Sequence, residues 1–292
     1  MAFQSGIRHV YRELMSFSRE QKCNYLSAKS YFDKSLVVNK DIHWLFILTF
    51  PNGGSTALAK LLLTASAATE LSDNAEGQWL IPSLSANRKR WDRNHTIPPR
   101  KLRASWLDKI GSTENKPTLV VEKSPANMSR YRYILSTFSD MKCSLVTYTR
   151  DPYAVCASWH SRYGPDMIHE TWLANDRPKP KSDEEYFGLL ADIWLERAEM
   201  IIKARRHSVF DLSYEKFTRD IEGQMNKFKS FIPELNDMSH DAAVKVKDYL
   251  PQKISNMNEK HIKSLTREQR SSISKSLSKS PDILDELGYS LQ

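Results

Sequence analysis

The stretch "WLFILTFPNGGSTALAKLLL", Trp44 to Leu63, restricts the fold more than any other part of the chain. Its opening run is almost wholly apolar, the pattern of a strand buried on both faces of a parallel sheet. Pro-Asn-Gly-Gly-Ser-Thr interrupts it, and alanine and leucine at helical spacing follow. Strand, glycine turn and helix make the first half of a parallel crossover. They also make an anion cradle, because free backbone N–H groups and the positive end of the helix dipole meet at the turn. The triphosphate-binding version of that turn, Gly-x-x-x-x-Gly-Lys-Ser/Thr, needs a lysine. Here Gly53 and Gly54 adjoin and no lysine precedes Ser55 or Thr56. The loop announces an anion without saying which.

The unit repeats. A strand over Thr118–Val121 runs into "EKSPANMSRYRYILSTF", and another over Cys143–Thr149 runs into "RDPYAVCASWHSRY", where Pro152 suits a first helical turn. Parallel strands put their carboxyl ends on one edge, so Pro51–Thr56, Glu122–Pro125 and Arg150–Pro152 should open on one crevice. Farther on, Phe187, Leu190, Trp194 and Ile201 share one helical face, followed by the strand "SVFDLSY" and an amphipathic helix over 215–232. "PQKISNMN", from Pro251, reads as a polar loop, and "TREQRSSISKSLSKSPDILDELGYS" as a capped terminal helix with a tail. Residues 8–30 read as a helix inside an N-terminal extension, 1–40, on a domain spanning 41–292. Residues 83–117, with Pro98, Pro99 and many basic side chains around Trp91 and Trp106, read as a polar insertion lying over the surface and facing the substrate. The expected fold class is a single α/β domain with a central parallel sheet flanked by helices.

With 292 residues, 40% of them apolar, the chain can bury one large core. A net charge of +8 suits a polyanionic ligand, a nucleic acid, a membrane surface or simply a solvated basic face. Cys23, Cys143 and Cys156 have no metal spacing, and an odd count speaks against a disulfide framework. No apolar run approaches the roughly 20 residues of a membrane span, and the first residues lack the pattern of a secretion signal. The expectation is a cytoplasmic protein with no membrane partner.

The crevice motifs resemble those of sulfotransferases that use 3′-phosphoadenosine 5′-phosphosulfate (PAPS), a family with a P-loop-like α/β fold, and the likeness spans about residues 44 to 290. "FPNGGSTAL", Phe50–Leu58, is similar to the family's 5′-phosphosulfate loop except that Asn52 stands where the family has lysine or arginine. The resemblance implies cofactor contacts from Asn52, Gly53, Gly54, Ser55 and Thr56. Arg150 and, eight residues on, Ser158 match the family's 3′-phosphate signature. A guanidinium pairs bidentately with phosphate and a helix-borne hydroxyl adds a donor. "LSYEKF" resembles the segment whose tyrosine lies near the adenine, implying Tyr214. "KISNMN" stands where many members close a basic loop over the nucleotide, which implies Lys253 and Ser255.

Sulfuryl transfer builds negative charge on the bridging oxygen, so the missing lysine asks for another cation. Lys123 in "VEKSP" resembles the Lys-Ser-Pro element of protein-tyrosine and glycosaminoglycan sulfotransferases, the plain alternative being a surface lysine paired with Glu122. An acceptor must also lose a proton to a base. Glu76 in "ELSDNAEGQWLIP" resembles the stretch that supplies the base in protein-tyrosine sulfotransferases, with His160 next in rank and His95 after it. No metal is implied, in contrast with phosphoryl transfer. The implied product is 3′-phosphoadenosine 5′-phosphate (PAP). The acceptor is expected to be a hydroxyl or amine of a small metabolite, such as a guanidinium alkaloid of secondary metabolism. The rivals are a nucleotide kinase and a non-catalytic nucleotide- or nucleic-acid-binding relative.

Overall fold

The computed structural model describes residues 2–85, 87–113, 116–173, 177–246 and 250–292. Five strands, β1 (His43–Thr49), β2 (Ala68–Glu70), β3 (Leu119–Glu122), β4 (Lys142–Thr149) and β5 (Phe210–Ser213), form one sheet in the order β2-β3-β1-β4-β5. Every pairing in it is parallel. β1 is central, with His43 opposite Leu119 on one side and Lys142 on the other. That place explains its composition, since all seven of its residues are buried. Leu45 and Ile47 face one layer with Leu58 and Leu62, while Trp44 and Phe46 face the other. There the Trp44 ring lies 4.6 Å from Phe138 and 5.6 Å from Trp106.

The helices are α1 (Ala2–Lys29), α2 (Ser55–Leu62), α3 (Pro82–Ser85), α4 (Pro99–Gly111), α5 (Tyr131–Thr137), α6 (Pro152–Arg162) and α7 (Pro165–Thr171). They continue with α8 (Asp183–Arg205), α9 (Tyr214–Arg219), α10 (Ile221–Phe231), α11 (Asn258–Lys263), α12 (Arg267–Leu277) and α13 (Pro281–Leu287). Among the described residues no helix is long and apolar enough to cross a membrane.

Four sequence expectations are corrected here. Residues 83–117 are not a surface insertion: α4 runs through them, with Leu102, Ala104 and Trp106 fully buried. Its basic residues disguised it. Lys101 is itself buried because its ammonium pairs with Glu20 and Asn24 of α1. The alanine and leucine spacing suggests a helix over Thr56–Ala68, but α2 ends at Leu62 because the chain must turn into β2, an edge strand too short and half-buried to show a pattern. The helix expected over 215–232 is two, broken at Asp220, whose carboxylate caps Gly223 N–H at 2.9 Å. The terminal helix is also two, since Pro281 opens α13 after α12, whose start carries a Thr266–Gln269 capping box.

Candidate functional site

β1 leaves the sheet between β3 and β4, where the strand order reverses, which is where open α/β sheets bind ligands. The loop after it is tightly folded. Gly53 N–H bonds the Phe50 carbonyl at 3.0 Å, and Asn52 and Gly54 adopt left-handed φ values of 52° and 90°. Asparagine tolerates that conformation far better than a lysine does, so Asn52 has a backbone reason to be there. A Cβ on Gly54 would lie 2.5 Å from the Tyr214 ring, so only glycine fits beside it. No side chain caps α2. Ala57 N–H is met by the Gly54 carbonyl at 3.1 Å, so the amides of Ser55 and Thr56 are the ones turned to an outside acceptor.

Two cavities meet at this loop, and Asn52, Gly54 and Thr56 line both. The rear cavity, about 400 Å³, is also lined by Arg150, Ser158, Tyr214, Lys253 and Ser255. The front cavity, about 260 Å³, is also lined by Ser55, Glu76 and Lys123. Gly53 lines neither and instead packs on Thr49 and Phe50.

In the rear cavity Arg150 is 4% exposed. Its Nε donates to Asn258 Oδ1 at 2.8 Å and its Nη1 to the Asn52 carbonyl at 3.0 Å, and its guanidinium lies 4.2 Å above the Tyr214 ring. Nη2 is buried without an acceptor. The Tyr214 hydroxyl donates to the Ser255 carbonyl and accepts from Met257 N–H, both at 2.9 Å, which fastens the 255–257 loop to the strand end. Asn258 is held in turn by Glu215, to which its Nδ2 donates at 2.6 Å. Asp151 caps α6 through Ala154 N–H, and burial, reinforced by the Glu215 charge, raises its carboxyl to about 6.

In the front cavity Lys123 Nζ donates to Glu76 Oε1 at 2.7 Å, and the Lys123 side chain is only 3% exposed. Glu76 Oε2 accepts from Trp79 Nε1 at 2.8 Å and from Gln78 Nε2 at 3.4 Å. Glu122 is not the partner of Lys123. It is fully buried and accepts from Gly77 N–H at 2.7 Å, Ser124 N–H at 2.9 Å and Asn127 Nδ2 at 3.0 Å, which fixes the turn that carries Glu76. Burial pushes its carboxyl up to about 7 against those hydrogen bonds, and the Glu76 charge adds to the rise.

His160 is not brought to this pair. It lines a third cavity, bonds Asp183 at 2.8 Å and stacks on Phe187 at 4.5 Å. His95 bonds the Ser83 carbonyl at 2.6 Å and lines neither site cavity.

Several residues that support or line the cavities went unread in the sequence. Asn258 and Glu215 sit inside quoted motifs, and only their contacts distinguish them from ordinary loop polar residues. Arg90, Trp79, Trp91, Tyr163 and Trp172 line the front cavity from segments distant in sequence. No local spacing links them.

A sequence profile described as the sulfotransferase family matches residues 45–232, the span that holds the loop, both strand-end motifs and "LSYEKF". The chain belongs to the sulfotransferase family. It is thus an enzyme of the sulfotransferase type, and similar folds are found among solved sulfotransferases. STF9 from Mycobacterium avium aligns with a TM-score of 0.50 at 13% identity, over 88% of this chain and 73% of its own. The sulfotransferase from Alicyclobacillus acidocaldarius has a TM-score of 0.49 at 13% identity, over 87% and 98%. The sulfotransferase domain of the Synechococcus PCC 7002 olefin synthase has a TM-score of 0.48 at 18% identity, over 87% and 98%. At 13% identity the likeness to STF9 speaks to the fold alone. No curated protein matches this sulfotransferase in sequence.

Proposed function

We propose that the protein transfers the sulfuryl group of PAPS to a hydroxyl or amine of a small acceptor. The observation that carries this is the junction of two cavities on one anion-binding loop, since a transfer needs donor and acceptor to meet at a shared point. The rear cavity suits the nucleotide. Arg150 has a buried N–H with no acceptor, the group that a 3′-phosphate would satisfy, and Ser158 stands on α6 beside the same cavity. The α2 amides suit the 5′ end of the donor, while Tyr214, Lys253 and Ser255 flank the remainder.

PAPS supplies an electrophilic sulfur and a good leaving group. Glu76 and Lys123 neutralise each other at rest. Once an anionic donor occupies the loop, Lys123 Nζ turns from Glu76 to it and stabilises the charge that develops as the bridging bond breaks. Glu76 Oε1, relieved of its short bond, accepts the proton of the attacking acceptor. Asn52 holds the loop geometry through its left-handed backbone. A small metabolite is the acceptor class that the resemblance favours. The test is a mass-spectrometric screen of acceptor mixtures with PAPS. An added sulfuryl group that depends on PAPS supports the reading; transfer from ATP with Mg²⁺ in its place would assign the site to a kinase.

A further inference from the structure

One cation of the front cavity serves neither the donor nor the Glu76–Lys123 pair. Arg90 lies on the turn Asn87–Trp91, and its carbonyl is pinned by Ser129 Oγ at 3.2 Å and by the Arg130 side chain. Its guanidinium sits 5.5 Å from the centre of the Trp79 ring and 5.6 Å from that of Trp91. Its Nε is buried without an acceptor, and among the described residues no carboxylate stands at ion-pair distance from it. Glu76 is close enough to be felt, but its two oxygens are taken by Lys123 and Trp79. The cavity thus holds two cations against one committed carboxylate.

A guanidinium stays charged even where burial opposes it. Part-buried and unpaired, it favours an incoming anion, because the pairing recovers desolvation already incurred by the folded protein. The walls narrow the choice further. Trp91 and Trp172 are flat faces, braced from behind by the buried Arg197 guanidinium at 3.8 Å and 4.4 Å. At about 260 Å³ the space is smaller than the roughly 300–1,000 Å³ of drug-sized sites.

We infer, building on the sulfotransferase mechanism proposed above, that the acceptor is a small planar alcohol or phenol bearing a carboxylate or similar anionic group, which Arg90 pairs while the hydroxyl faces Glu76. A cationic acceptor, guanidinium alkaloids included, is repelled by Arg90 and Lys123 together. The chemistry of transfer is unchanged: the acceptor oxygen bonds to sulfur, the sulfur–phosphate oxygen bond breaks, and the acceptor proton passes to Glu76.

Three probes with one ring and different charge separate the possibilities: 4-hydroxyphenylacetate, 4-methylphenol and tyramine. Each is titrated into PAP-saturated protein, with quenching of tryptophan fluorescence as the readout. The carboxylate probe should bind about 10- to 100-fold more tightly than 4-methylphenol, and tyramine most weakly. Arg90→Ala should erase that preference and Arg90→Lys should keep part of it. Equal binding of the anionic and neutral probes, no binding of the carboxylate probe, or a preference that survives Arg90→Ala overturns the assignment. If Arg90→Ala does not fold, the wild-type ranking across the three charges decides. PAP stabilisation, measured first, reports separately on the donor site. Should it be absent, the donor assignment fails, and titration of the nucleotide-free protein still decides the preference of Arg90.

Discussion

Lys123→Ala addresses the role of the buried pair. The 2.7 Å contact to Glu76 is nearly dehydrated on the lysine side, with side-chain exposures of 3% and 17%. Removing one partner from a buried pair costs about 3–5 kcal/mol. Here the lower end applies, because Glu76 keeps Trp79 and Gln78 as donors and some water. The variant should therefore unfold at a lower temperature yet remain folded in a cool assay. Loss of one positioned electrostatic donor at a developing charge typically costs 10²- to 10³-fold in turnover. PAP carries no sulfuryl group, so its affinity should change far less than kcat. Single-turnover kinetics with PAPS and any acceptor found by the screen, beside a PAP titration, separate the two quantities. A variant with kcat within a few-fold of wild type, or one whose PAP affinity falls as much as kcat, would refute the claim that Lys123 acts on the transferring group.

Asn52→Lys in the Lys123→Ala background should restore part of the lost turnover. The rescue is limited by the left-handed φ at position 52, which costs a side chain such as lysine about 1–2 kcal/mol; no recovery at all would remove the idea that the loop and Lys123 share one task. Glu122 gives a pH signature. Its carboxyl is raised from 4.5 to about 7 in the folded protein, so the folded state binds the extra proton between those values and stability falls as pH rises through the window, by on the order of 3 kcal/mol. Glu122→Gln should flatten the melting curve against pH between 4.5 and 7; parallel curves for the two proteins would show that Glu122 does not titrate there. Gly77→Ala would place a Cβ 2.4 Å from Leu71 Cδ1 and 2.8 Å from Glu122 Oε2. Overpacking of this kind costs about 1–3 kcal/mol, visible in a urea titration, and a neutral effect would mean that the turn carrying Glu76 is looser than described.

The strand-end motifs were legible because β1 is largely apolar, β4 is β-branched and aromatic toward its end, and each is followed at once by turn and helix signals. Glu76 and Lys123 were each readable by resemblance, but their ion pair was not, since it joins positions 47 residues apart. α4 was obscured for a physical reason: Lys101 looks like a surface residue until α1 brings Glu20 to it. The short edge strand β2 is half-buried along its length and has no alternation to read. The aromatic wall of the front cavity is assembled from separate segments, and so tertiary packing alone reveals it. Asn52, read as a missing lysine, is better understood from its φ.

If Arg150 and Ser158 form a site for a 3′-phosphate, paired melting curves of the wild-type protein with PAP and with AMP show it most directly. The two ligands share adenosine and a 5′-phosphate and differ in the 3′-phosphate. A ligand at about 100 times its Kd adds about 2.7 kcal/mol of stability, and hydrogen bonds to a charged group contribute about 1.5–3 kcal/mol. At equal concentration PAP should therefore raise the melting temperature well above the AMP value, corresponding to affinity about 10- to 100-fold higher. Equal shifts from the two nucleotides would mean that Arg150 and Ser158 do not hold a 3′-phosphate.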